Sequence, residues 1–98
     1  MKPRVVVVTG RQCPACTKQK DHLNKEGIEF EEIESDSVYG RIVCSLYKLV
    51  GLPTVMIRKK NSNSDDLMAT SFRAGFVPVD MIRSEIERQD KIEKTTTK

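Results

Sequence analysis

The chain has no tryptophan, a single histidine and only three cysteines. An odd number of cysteines argues against a framework of structural disulfides, which needs an even set. A closed zinc site usually takes four ligands, and beside Cys13 and Cys16 the sequence offers only Cys44 and His22 as further soft ligands. We therefore expect a protein that folds without disulfide staples and without a bound metal.

Long hydrophobic runs are also lacking. The longest apolar run near the N-terminus is the four valines at 5–8, which is too short for a signal-peptide core or a membrane span. We therefore expect a cytoplasmic protein, and in that reducing compartment a close cysteine pair favours catalysis or metal binding over a structural disulfide. The net charge of +3, with basic residues dispersed among acidic ones, gives no case for nucleic-acid binding.

The 98 residues predict a single domain, 1–98. Strands are predicted at 4–8, 28–33, 54–57 and 67–72, and helices at Pro14–Lys25, at 38–50 and from Pro78 onward. Gly27 suits a left-handed cap that ends the first helix. The polar stretch 59–66 predicts a hairpin loop, and 93–98 predicts a frayed tail.

The strongest chemical signal is Cys13-Pro14-Ala15-Cys16, which falls where the first strand should give way to the first helix. A free thiol has a pKa of about 8.5, and the N–H groups and dipole at a helix N-terminus favour its thiolate. We expect Cys13 at the N-cap with an exposed sulfur, Pro14 at the first helical position and Cys16 more buried, one turn in. The pattern therefore predicts a dithiol in which Cys13 attacks a substrate disulfide and Cys16 resolves the mixed disulfide. Arg11 would add a cationic field or meet an anionic group of the substrate.

Pro53 is the second residue with a functional interpretation. It lies in Gly51-Leu52-Pro53-Thr54, between a helix and a core strand, where a proline ordinarily costs a ladder hydrogen bond. A cis Leu52–Pro53 bond would expose the Leu52 backbone beside the cysteines for pairing with an extended substrate segment. The alternative is an ordinary trans turn, which bare statistics favour.

Two further residues receive a structural interpretation. Cys44 is interpreted as a small apolar core residue on the helix face of Ile42 and Leu46, with a regulatory thiol as the alternative. His22 is interpreted as a packing or surface residue rather than a base, because thiol–disulfide exchange needs no histidine.

Three segments carry a family resemblance that covers about 5–86. Cys13-Pro14-Ala15-Cys16 is similar to the active site of the glutaredoxin branch of the thioredoxin superfamily. Gly75-Phe76-Val77-Pro78 is similar to the Gly-Phe-Arg-Pro turn of NrdH-type redoxins, which deliver electrons to ribonucleotide reductase. The segment after the cysteines also resembles those redoxins, at Thr17, Lys20, Leu23, Gly27, Ile28, Phe30 and Ile33.

The resemblance implies an α/β, thioredoxin-like fold with a four-stranded mixed sheet flanked by three helices, and a cis Pro53. It implies a substrate-binding surface formed by Arg11, Pro14, Ala15, Leu52, Pro53, Gly75, Phe76 and Asp80. One departure concerns the electron donor: glutaredoxins that use glutathione typically carry Gly-Gly and then an acidic pair at the start of the last helix, and 74–80 here lacks that pattern.

Three functions are compatible with these features. The first is a monomeric dithiol oxidoreductase that reduces protein disulfides, such as that of a ribonucleotide reductase, with electrons from a thioredoxin-reductase-type flavoenzyme. The second is a glutathione-dependent glutaredoxin, in which Arg11, Leu52 and Asp80 grip the tripeptide. The third is a binding module that uses Cys13 to hold a metal or an iron–sulfur cluster.

Overall fold

The computed structural model describes residues 3–58, 67–68 and 75–96. Within these ranges the chain forms three helices and three five-residue strands. In chain order they are β1 (Val5–Thr9), α1 (Pro14–Lys25), β2 (Phe30–Glu34), α2 (Val38–Leu46), β3 (Thr54–Arg58) and α3 (Val79–Thr96). The predicted strands are confirmed to within two residues at each of these three positions.

β1 lies at the centre of the mixed sheet. It pairs parallel to β2, with Val5 opposite Phe30, and antiparallel to β3, with Val8 opposite Thr54. The two-residue segment β4 (Leu67–Met68) pairs antiparallel to β3. The predicted four-stranded sheet is therefore seen as three full strands, and a complete fourth strand is not supported, because most of 67–72 lies outside the described residues. The predicted hairpin loop at 59–66 lies outside them as well.

The central strand divides the interior into two cores. All five residues of β1 are buried, as expected for a strand covered on both faces. Val5 and Val7 pack with Leu23 of α1 and Ile82 of α3 in the first core. The second core, on the opposite face under α2, contains Val6, Val8, Ile33, Val43 and Met56.

Local signals end α1 where the sequence predicts. Gly27 has a positive φ of 69°, which a residue without a Cβ adopts at little cost. The N–H of Ile28 donates to the carbonyl of Leu23, and the N–H of Gly27 donates to that of Asn24. This is the Schellman arrangement, and it confirms the predicted left-handed cap.

The prediction for α2 was wrong in length and in part of its face. The helix ends at Leu46 rather than 50, because Lys48 turns left-handed (φ 53°) and the N–H of Leu49 closes onto the carbonyl of Cys44. Val38, Ile42 and Leu46 are exposed, whereas Val43 and Gly40 face the sheet. Cys44 is half-buried against the second core, but Ile42 and Leu46 do not share its environment.

The last helix begins one residue after Pro78, as predicted, and continues to Thr96. The helix therefore overlaps the tail predicted at 93–98 as far as Thr96, and the fraying of that tail stays a prediction. The residues beyond Arg88 are largely good helix formers. Just before them, Glu85 pairs with Arg88 and accepts a hydrogen bond from Gln89. In the described part of the chain, no helix has the length and apolar character needed to cross a membrane.

Candidate active site

Cys13 and Cys16 lie at the N-terminus of α1, immediately beyond the end of β1. Cys13 is the N-cap residue, with extended backbone, and Pro14 occupies the first helical position. Cys13 is half-buried, whereas Cys16 is 2% exposed. Their sulfurs are joined in a disulfide with the Cα atoms 5.2 Å apart. The predicted cap position and the predicted difference in burial are both confirmed.

The sulfur of Cys13 acts as the cap of the helix. The backbone N–H of Cys16 donates a hydrogen bond to Cys13 Sγ over 3.2 Å. A helix N-terminus has unpaired N–H groups and the positive end of the helix dipole. The same contact favours negative charge on this sulfur once the disulfide is reduced.

An open depression of about 390 Å³ lies at the cysteines. It is lined by Gly10, Gln12, Cys13, Pro14, Cys16, Thr17 and Lys20. Pro14 and Ala15 are exposed beside it. Cys13 is therefore accessible to a substrate from the side of the loop that joins β1 to α1, whereas Cys16 is buried behind it.

An ionic contact lies behind this depression. Lys20 Nζ is 3.0 Å from Glu32 Oε2 on β2, and the hydroxyl of Thr9 donates to the same oxygen over 2.7 Å. The Thr9 hydrogen bond is the main cause that lowers the pKa of Glu32. Burial opposes it with the second-largest effect, and the hydrogen bond and charge of the Lys20 ammonium lower the pKa further. The carboxylate form is thus favoured, and it fixes Lys20 at the edge of the depression.

The Leu52–Pro53 segment lies beside the cysteine loop. Its peptide bond is cis, which the family resemblance implies. Leu52 packs so close to Gly10 that a Cβ at Gly10 would come within 2.7 Å of Leu52 Cδ1. The carbonyl of Pro53 accepts a hydrogen bond from the N–H of Gly75 over 2.8 Å. Three separate stretches of sequence, around Gly10, Leu52–Pro53 and Gly75, therefore meet at one end of the sheet.

The turn 75–78 places Phe76 against α1. Its ring is 39% exposed and lies 5.0 Å from the ring of His22, with Lys18 Nζ 5.3 Å from the ring centroid. Asp80 is exposed in the first turn of α3. The structure thus brings Gly75 and Phe76 next to the helix that carries both cysteines.

Arg11 is engaged away from the sulfurs. Its Nε lies 2.7 Å from Asp36 Oδ2, and its side chain is 85% exposed. Its charge is therefore balanced by a carboxylate of the same chain.

Two polar residues of α1 that the sequence interpretation did not assign to the site hold the turn in place. Gln19 is fully buried and exchanges two hydrogen bonds with the backbone of Val77. His22 Nε2 accepts a hydrogen bond from the N–H of Val79 over 3.1 Å, so the histidine packs, as interpreted, and also caps α3. The available signal was the position of Gln19 between Cys16 and Leu23 on the buried face of α1, since a buried amide requires partners.

No group of three or more His, Cys, Asp or Glu side chains is arranged to hold a metal ion in the described part of the chain. Cys44 lies on α2 as a free, half-buried thiol.

No protein-family model and no curated protein matches the chain. Among solved structures, it is similar to the C-terminal domain of Neisseria meningitidis DsbD in its oxidised form, with a TM-score of 0.59 and 19% identity over 90% of this chain and 80% of that one. At this identity the likeness shows the fold alone, which is thioredoxin-like. This fold, with a close cysteine pair, supports thiol–disulfide oxidoreductase chemistry in general.

Proposed function

We propose that the protein is a thiol–disulfide oxidoreductase that reduces protein disulfides through Cys13 and Cys16. The observation that carries the proposal is the asymmetry of the pair. Cys13 is accessible and capped by an N–H group, whereas Cys16 lies buried within bonding distance behind it. A sulfur that meets substrate and a second sulfur that only its partner reaches are the two parts of a dithiol exchange mechanism.

The proposed reaction has two exchange steps. The Cys13 thiolate attacks one sulfur of the substrate disulfide, forms a mixed disulfide and releases the other substrate sulfur as a thiolate. The Cys16 thiolate then attacks Cys13 Sγ, closes the Cys13–Cys16 bond and releases the second substrate thiolate. Two electrons and two protons pass from the dithiol to the substrate, and an external reductant must reopen the disulfide.

We assign substrate contact to the surface around Cys13. Pro14 and Ala15 are exposed next to the nucleophile, half-buried Leu52 lies against Gly10 of the cysteine loop, and Phe76 is exposed in the turn that begins at Gly75. Pro53 is fully buried behind Leu52 and supports this surface without being part of it. These apolar side chains suit a protein segment better than a small charged molecule.

The proposed electron donor is a thioredoxin-reductase-type flavoenzyme, with a ribonucleotide reductase as one candidate acceptor and the reducing cytoplasm as the compartment. Glutathione is the competing electron donor, and the protein would need Arg11, Leu52 and Asp80 to bind it. The absence of the Gly-Gly and acidic-pair pattern from 74–80 argues against glutathione.

Parallel assays of NADPH consumption with a protein disulfide substrate test the proposal. One contains thioredoxin reductase, and the other contains glutathione and glutathione reductase. Turnover in the first alone supports the proposed donor, and turnover in the second alone replaces it with glutathione. No turnover in either, with a folded protein, refutes the oxidoreductase function.

Serine variants separate the roles of the cysteines. Cys13→Ser should abolish turnover, whereas Cys16→Ser should accumulate a mixed disulfide with the substrate that is visible by mass spectrometry. Cys44→Ser is the matched control, since that thiol lies on α2 and takes no part in the proposed exchange. The cluster-binding alternative predicts instead a coloured or metal-containing purified protein that loses its metal in Cys13→Ser.

A further inference from the structure

Gln19 is a polar residue of α1 whose side chain is fully buried. It lies on the face of α1 that also carries Cys16 and Leu23. A buried amide without partners is strongly unfavourable. Gln19 satisfies both of its polar atoms on one distant residue: Nε2 donates to the carbonyl of Val77 over 3.0 Å, and Oε1 accepts from the N–H of Val77 over 2.6 Å.

These two hydrogen bonds hold the residue after Phe76 in the chain, and a third hydrogen bond holds the residue before it. Val77 is tied to α1 by Gln19, while the N–H of Gly75 is tied to the carbonyl of Pro53. Phe76 lies between these two anchors and keeps its ring 39% exposed. The backbone that carries the ring is therefore held both to the dithiol helix and to the Leu52–Pro53 segment.

We propose that Gln19 is a positioning residue that sets Phe76 at a fixed place relative to Cys13, and so confers selectivity for protein disulfides over small ones. The inference rests on the proposed oxidoreductase function. Gln19 does not touch the substrate; it acts through the turn 75–78. Phe76 lies against α1 at Lys18 and His22, further along the helix than Cys16. A protein segment that bonds to Cys13 and continues along α1 can therefore reach Phe76, whereas a small disulfide occupies the sulfur alone.

The chemistry of Gln19 provides a reversible test. In Gln19→Glu, the neutral carboxylic acid reproduces the amide pattern, because its O–H can donate to the Val77 carbonyl while its C=O accepts from the Val77 N–H. The ionised form cannot donate and places negative charge against that carbonyl. Burial raises the pKa of an introduced carboxyl by several units, to about 8–9 in documented cases, so the variant should keep the turn at low pH and lose it as the pH rises.

The experiment measures single-turnover oxidation of the pre-reduced protein by insulin and by hydroxyethyl disulfide at about pH 5.5 and at a pH of about 9 or above, which brackets the raised carboxyl pKa. The quantity compared is the rate constant for insulin divided by that for hydroxyethyl disulfide, taken relative to the same ratio of the wild type at the same pH. This comparison removes the pH dependence of the thiols themselves. We expect this ratio in Gln19→Glu to fall about fivefold to tenfold at the higher pH, the effect of roughly one lost hydrogen bond, and to recover at the lower pH. The loss should appear as a higher half-saturating insulin concentration rather than a lower limiting rate.

Three further variants define the outcome. Phe76→Ala and Gln19→Leu should lower the ratio at both pH values. Gln89→Glu is the matched control: Gln89 is also a buried glutamine, but it bonds to Glu85 within α3, so its replacement should change stability without changing the ratio.

Several results would overturn the inference. The first is an unchanged rate ratio in Gln19→Glu at the higher pH, and the second is an equal fall of that ratio in Gln89→Glu. The third is an equal loss of rate toward insulin and toward hydroxyethyl disulfide. The fourth is unfolding of Gln19→Glu at the higher pH, measured by circular dichroism, which would leave Gln19 a purely structural residue. A folded wild type that reacts with neither disulfide would instead refute the oxidoreductase function, and this inference with it.

Discussion

The backbone N–H of Cys16 donates to the sulfur of Cys13 over 3.2 Å. At most helix N-termini this acceptor is an oxygen of Ser, Thr, Asp or Asn. Here the acceptor is the proposed nucleophile, so the group that caps α1 is also the group that reacts. A negatively charged sulfur accepts this hydrogen bond more strongly than a neutral one, and the helix is therefore best capped in the thiolate form.

Selective alkylation tests this arrangement. In the reduced protein at neutral pH, we expect iodoacetamide to modify Cys13 first, at least about tenfold faster than Cys44, because Cys13 is accessible and has an N–H donor. Peptide mass spectrometry over a time course identifies the modified residue, and Cys13→Ser should lose the fast phase. Faster modification of Cys44 would contradict the prediction.

The Thr9–Glu32 hydrogen bond predicts a pH dependence. The pKa of Glu32 is lowered in the folded protein, so its stabilising contribution is present above the ordinary pKa of the carboxyl and is lost as the pH falls through the lowered value. Thr9→Val removes the main cause and should raise the pKa of Glu32 toward its ordinary range. Carboxyl NMR titration measures this pKa directly.

Lys20→Met provides a second test of the same carboxylate. It removes the ammonium partner of Glu32 and should move the Glu32 pKa in the same upward direction. An unchanged pKa in both variants would mean that neither contact is maintained in solution.

Two glycines should respond to alanine for different reasons. A Cβ on Gly40 would lie 1.8 Å from the carbonyl oxygen of Glu34, so Gly40→Ala must push α2 away from β2. We expect it to lower the free energy of unfolding by about 3 kcal/mol or more. Gly27→Ala has open space but a positive φ of 69°, and we expect a loss of about 1–2 kcal/mol. Urea denaturation of both variants should show the larger loss for Gly40→Ala, and the reverse order would refute the close packing of α2.

Adjacent residues on α2 should differ in the same experiment. Val43 is buried in the second core, whereas Ile42 is 55% exposed. Val43→Ala should cost about 2 kcal/mol, and Ile42→Ala about 0.5 kcal/mol. Equal losses in the free energy of unfolding would mean that the exposed apolar side chains of α2, such as Ile42, are covered in solution.

The sequence predicts some of these elements well because their signals are local. Pro14 at the first position of α1 and Gly27 just beyond its last turn mark the two ends of that helix, and four β-branched valines mark β1. The face of α2 is different. Periodicity finds an apolar stripe but not which side meets the sheet, and the close approach of Gly40 to Glu34 decides that. The partners of Gln19 could not be predicted either, because Val77 is 58 residues away along the chain.

The central strand has a consequence for the position of the dithiol. Val5, Val6, Val7 and Val8 are chemically identical, so a shift of β1 by one residue would return a valine to three of these four core positions and place Arg4 or Thr9 in the fourth, and the valines alone oppose it only weakly. Side-chain contacts at the two ends of the strand fix the register: Arg4 pairs with Asp90 of α3 over 3.0 Å, and the hydroxyl of Thr9 donates to Glu32. Such a slip would carry the loop after Thr9, and Cys13 with it, by about 3.3 Å. The polar contacts of Arg4 and Thr9, on either side of the four valines, therefore fix the position of Cys13 Sγ along the strand direction.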